Sequence, residues 1–169
     1  MSIRIQKKKI NLKIHNNIVL FVDQNLHFQG LDNGPLQEYK TKIKDYIGKK
    51  KIDNKIFSFD ITSKIKIIVL RINKNEKTIN SIEKLGANFF SYIEKNSIHQ
   101  TFFLDKNIKK ISEINKNFFE AFISGIYIKS YKFKVYITNK NLKSYFINID
   151  GDLNLNFFSK DNKFKSIIE

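Results

Sequence analysis

The chain has 169 residues, 41% of them hydrophobic and 28% charged, and a formal net charge of +15. That size suits one domain able to bury roughly two-thirds of its unfolded surface, and the balance of apolar to charged residues excludes a disordered chain. There is no cysteine, which excludes disulfides, thiolate metal sites and a cysteine nucleophile.

No apolar run approaches the roughly 18 residues needed to cross a bilayer, so no membrane partner is expected. Residues 1–14 alternate apolar and polar side chains and lack the apolar stretch and small-residue cleavage site of a secretory signal. Cytoplasmic location is the expectation. The charge invites a nucleic-acid reading. However, of 31 basic residues only Arg4 and Arg71 are arginine, alanine occurs only at Ala87 and Ala121, and proline only at Pro35. Lys, Ile, Asn and Phe share A/T-rich codons, so compositional drift accounts for the lysines. Arginine is the side chain suited to forked contacts with phosphate and guanine. A basic nucleic-acid-binding module is therefore an alternative that the arginine shortage disfavours, and a solvated lysine-rich surface is the simpler account.

Residues 2–7 (SIRIQK) and 10–14 (INLKI) alternate with period two, which predicts half-buried strands. Residues 17–23 (NIVLFVD) form a continuous apolar run, the pattern of a central strand covered on both faces. The segment 30–35 (GLDNGP) is a turn. A helix is expected over 36–47, with Leu36, Tyr39, Ile43, Tyr46 and Ile47 on one face and Gly48 ending it. Residues 49–55 (KKKIDNK) read as an exposed basic loop. Segments 55–61 and 64–71 read as an antiparallel hairpin, the second the most β-prone run and expected centrally. The loop 73–76 (NKNE) follows at a strand's carboxyl end, where ligands bind in open α/β sheets, but it has no glycine for a phosphate loop.

A helix is predicted over 78–95 from Ile79, Ile82, Leu85, Phe89 and Ile93. Gly86 and Ala87 would let it lie close to the sheet, with Gly86 costing about 1 kcal/mol relative to alanine. Residues 97–104 read as a strand, and His99 as a half-buried or edge histidine with no partner at metal-ligand spacing. One further helix is expected from 108 or 112 to 128, striped by Ile111, Ile114, Phe118, Phe122, Gly125 and Ile126. The pairs Phe89-Phe90 and Phe118-Phe119 read as core plus an adjoining contact face. Segments 144–149 and 153–158 read as strands around the turn Asp150-Gly151-Asp152, which has too few oxygen ligands for a calcium loop.

No serine-nucleophile motif is present, and His15, His27 and His99 lie in unrelated contexts. The carboxylates Asp23, Asp32, Glu38, Asp45, Asp105, Glu113, Glu120, Asp150 and Asp152 are scattered. No catalytic, cofactor-binding or metal-binding residue is assigned.

Three stretches carry a family resemblance. Residues 124–138 (SGIYIKSYKFKVYIT) have the order of small, apolar, aromatic and basic residues with which a helix leads out of the N-terminal domain in the leucyl (cytosol) aminopeptidases. Residues 17–26 (NIVLFVDQNL) resemble that family's first buried strand and acidic turn, and 81–90 (SIEKLGANFF) resemble its Leu-Gly-containing helix. Order and spacing agree over 15–150, within a single domain of 1–169, with 1–14 and 151–169 less well matched. Two departures stand out. The strand ending Leu70-Arg71-Ile72-Asn73 lacks the family's Gly-Leu-Gly turn, and Ile137 replaces a basic residue.

The resemblance implies an α/β, three-layer, mixed and mostly parallel sheet of about six strands flanked by helices, related in fold to macro domains. It also implies a non-catalytic assembly or regulatory domain of a metallopeptidase that releases N-terminal amino acids. The divalent metals (zinc, manganese) and their ligands would belong to a catalytic domain, held in cis or on a partner peptidase subunit, and the full-length protein would form a homo-oligomer. The run 129–136 would be the hand-over towards that domain. A macro-like nucleotide-binding domain is the remaining alternative.

Overall fold

The computed structural model describes residues 2–49, 54–73, 78–113, 116–134 and 143–153. One sheet holds β1 (Ser2–Lys7), β2 (Asn16–Val22), β3 (Ile56–Thr62), β4 (Ile65–Arg71), β5 (Gln100–Leu104) and β6 (Ser144–Asp150), in the order β1-β6-β5-β2-β4-β3. Neighbouring strands are parallel except for β3 with β4. The helices are α1 (Lys40–Lys49), preceded by a 3-10 turn at Gln37–Tyr39, α2 (Ile79–Lys95), α3 (Asp105–Ser112) and α4 (Phe118–Lys134). This is the predicted α/β class, with a mixed and mostly parallel sheet.

The burial of β2 shows why three layers form. Val19 and Phe21 face a core built with Ile82, Leu85 and Phe89 of α2 and Phe122 of α4. Ile18, Leu20 and Val22 face the other core, with Ile43 and Ile47 of α1. A strand covered on both faces needs a continuous apolar run, and 17–22 supplies it. Each large apolar side chain buried there contributes about 1.5–3 kcal/mol. The hairpin β3–β4 is antiparallel, as expected. However, β4 lies one strand in from the edge, and β5 and β2 hold the centre.

Several expectations are corrected. Residues 10–14 are not a strand. Asn16 Nδ2 donates to the carbonyls of Asn11 (2.8 Å) and Ile14 (2.7 Å), curling the segment into a turn. Ile10 and Leu12 pack on the α1 side while Ile14 is 50% exposed, so the alternation belongs to a tucked loop. The helix placed at 36–47 begins and ends later, and Gly48 lies inside it rather than terminating it. Tyr46 is exposed and stacks on Phe59 with ring centres 5.2 Å apart.

Thr78 caps α2 by accepting the Ser81 N–H at 3.2 Å, but Ile79 is exposed rather than part of the buried stripe. Ser97 has φ 52°, so the chain turns there and β5 starts only at Gln100. His99 is exposed, with its ring 5.1 Å from Tyr145.

The single helix placed from 108 or 112 to 128 is two helices, α3 and α4. Ile114 lies outside the described residues. Gly86 does not face the sheet. A Cβ there would stand 1.9 Å from Phe122 O, and one on Gly125 would stand 1.9 Å from Glu83 O. The two glycines bring the backbones of α2 and α4 into direct contact. Phe89, Phe90, Phe118 and Phe119 are all buried, so they are core and offer no contact face.

The described part of the run placed at 129–136, residues 129–134, does not lead out of the domain. α4 continues to Lys134, and the chain re-enters the sheet as β6 between β1 and β5. Residues 135–142 and 154–169 lie outside the described residues, as do Ile137 and most of the strand placed at 153–158. So do 50–53 and 74–77, which hold most of the loops at 49–55 and 73–76. Among the described residues, no helix is long and apolar enough to cross a membrane.

Candidate functional site

The central strands part company at their carboxyl ends. β2 and β5 pair through Ile18–Phe102 and Val19–Phe103. Beyond that point β2 leads to α1 on one side of the sheet, while β5 leads to α3 and α4 on the other. Divergence of two adjacent parallel strands creates the crevice in which open α/β sheets bind ligands. A cleft of about 300 Å³ lies there, between the 23–29 loop after β2 and α3 after β5.

Asn107, 2% exposed, builds the cleft floor. Its Oδ1 accepts the Phe21 N–H at 2.8 Å, and its Nδ2 donates to the carbonyls of Phe21 (3.1 Å) and Gln29 (2.9 Å). The side-chain amide thus takes the place of a strand partner where β5 has turned away. Gly30, with φ 91°, lies against it, and a Cβ there would stand 2.5 Å from the Asn107 nitrogen.

The loop is tied by its own first residue. Asp23 Oδ1 accepts the N–H groups of Asn25 and His27, both at 2.8 Å, and Asp23 Oδ2 lies 3.3 Å from His27 Nδ1. Arg71, at the end of β4, donates through Nε and Nη2 to the Gln24 carbonyl. Across the cleft, Lys110 Nζ donates to Glu113 Oε1 at 2.8 Å.

A second cluster sits at the ends of β5 and β6. Asp105 Oδ2 accepts the Asp152 N–H (3.1 Å) and Lys109 Nζ (3.0 Å). Gly151, with φ 137°, presses on this carboxylate, and a Cβ there would stand 2.1 Å from Asp105 Cγ. Burial pushes the Asp105 carboxyl up, but Lys109 and the N–H groups of Asp152 and Lys106 hold it below its ordinary 3.8. Burial, and then the Asp105 charge, push Asp150 above 3.8.

Of the residues noted in the sequence, the cleft gathers Asp23, His27 and Glu113. His15 and His99 are exposed elsewhere, and Asp32 is tied to Lys40 at 2.5 Å. Asn107 and Lys110 escaped sequence reasoning. The one available signal was an Asn in the first turn after a strand, which reads equally as ordinary helix-start chemistry. Among the described residues, no three His, Asp or Glu groups are placed to hold a metal. The described residues therefore do not fit the metal centre of the resembled family.

No protein-family model and no curated protein matches the sequence. Among solved structures, a point mutant of tomato leucine aminopeptidase is similar, with TM-score 0.57, 11% identity, and coverage of 98% of this chain and 35% of that one. The chain thus spans about a third of that protein, and the likeness shows a shared fold. The macrodomain of Thermus aquaticus DarG is also similar, with TM-score 0.45, 12% identity, and coverage of 89% of this chain and 99% of that one.

Proposed function

We propose that the chain is a non-catalytic module, of the N-terminal type, in a leucyl-aminopeptidase-like metallopeptidase, serving assembly or regulation. One observation carries the reading: nearly the whole chain superposes on about a third of a leucine aminopeptidase. The metals and the hydrolysis of N-terminal residues belong to a catalytic domain in cis or to a partner subunit, and the assembled protein is a homo-oligomer. Co-expression with the cell's peptidase catalytic subunit tests it. Co-sedimentation in a fixed stoichiometry is expected, and a chain that sediments alone beside an assembled peptidase overturns it.

The position of the cleft favours a second reading, a small-ligand site. Crevices at such switch points are where α/β sheets bind ligands. A nucleotide is the poorer candidate. The lining offers two carboxylates against one lysine and no glycine-rich phosphate loop.

A further inference from the structure

The inference rests on the second reading of the cleft and narrows its ligand. We propose that the cleft binds a small amphipathic cation, a primary amine carried on an aromatic or apolar body.

The whole chain carries +15, yet the charged groups of the cleft are Asp23 and Glu113 against Lys110, with His27 beside them. Most of the side-chain donors around it are already committed, the exposed Gln29 amide excepted. The N–H groups of Asn25 and His27 go to Asp23, the Asn107 amide goes to Phe21 and Gln29, and Lys110 goes to Glu113. The neighbouring Lys106 and Lys109 are turned to the Asp32 carbonyl (3.2 Å) and Asp105 (3.0 Å). An anion entering the cleft would meet few free donors.

An acceptor is open. Lys110 bonds Glu113 Oε1, and the Glu113 side chain is 64% exposed, so its other oxygen can be reached from the cleft mouth. Phe21, Phe28 and Ile111 supply the apolar wall. Aromatic faces attract ammonium groups while covering the body that bears them. At about 300 Å³ the cleft is at the small end of ligand sites. The incoming ammonium competes with Lys110 for Glu113.

Amide-shift titrations followed at Phe28 and Ile111 test this, with 2-phenylethylamine, 2-phenylethanol, phenylacetate and ADP-ribose as probes. The amine should bind at least about tenfold more tightly than the alcohol, and the alcohol more tightly than the acid. Lys110→Gln should strengthen amine binding, and Glu113→Gln should weaken it about fivefold or more; both residues are exposed, so both variants should fold. Alcohol or acid binding as well as the amine overturns the proposal. ADP-ribose binding that Lys110→Gln weakens overturns the amine while keeping the ligand site. Silence of every probe up to about 10 mM removes both.

Discussion

Asn107 shows how one side chain can replace a stretch of sheet. Its amide meets the N–H and C=O of Phe21 and the C=O of Gln29. Asn107→Ala leaves the buried N–H and C=O of Phe21 unpaired, and stability should fall by about 3 kcal/mol, read as a lower urea midpoint. Asp105 and Asp150 give a pH signature of opposite signs. The native pKa of Asp105 is depressed, so its contribution is present above the unfolded value and is lost as pH falls through the native one. Asp105→Asn should therefore cost about 1–2 kcal/mol at neutral pH, with the difference closing in acid. Asp150 is raised, so it opposes folding once pH rises through its native pKa. Asp150→Asn should be more stable than the parent at neutral pH and equal to it below 3.8. Paired urea titrations at the two pH values check both signs. None of this was legible in the sequence. Asp105, Asp150 and Asp152 stood out only as scattered carboxylates, because the contacts that shift them form when the end of β6 folds against the start of α3.

The crossing of α2 and α4 is set by Gly86 and Gly125. In an open helix, glycine to alanine gains about 1 kcal/mol. A methyl on Gly48 would meet nothing within 4 Å, and Gly48→Ala should stabilise by about that amount. Gly86→Ala and Gly125→Ala should do the reverse. Each methyl meets a backbone carbonyl at 1.9 Å, and the helices must separate at a cost of about 2–3 kcal/mol. Thermal unfolding of the three variants decides it. Periodicity alone revealed α2, because 3.6-residue spacing is local, while the Thr78 cap emerged only in the structure. It missed the break between α3 and α4, since the apolar stripe runs on across it. It also could not say that Gly86 faces a helix rather than the sheet, because a glycine marks close approach without naming the neighbour.

Across the whole molecule, local patterns marked each of β1 to β6 but also a strand at 10–14 that does not form, and the mixed α/β sheet of about six strands was what the resemblance implied. The strand order was not legible. β6 is the last strand among the described residues yet lies between β1 and β5, a pairing that no local pattern encodes. That insertion changes the meaning of the basic aromatic run at 129–136. Its described part, residues 129–134, belongs to α4, after which the chain returns to its own sheet as β6. The carboxyl ends of the strands gather the cleft and the Asp105 cluster, and among the described residues neither assembles a metal centre. The proposed non-catalytic role is checked by incubating the purified chain with leucine-p-nitroanilide and manganese or zinc. No release of p-nitroaniline above the metal-only control is expected. Metal-dependent turnover that copurifies with the chain would contradict it.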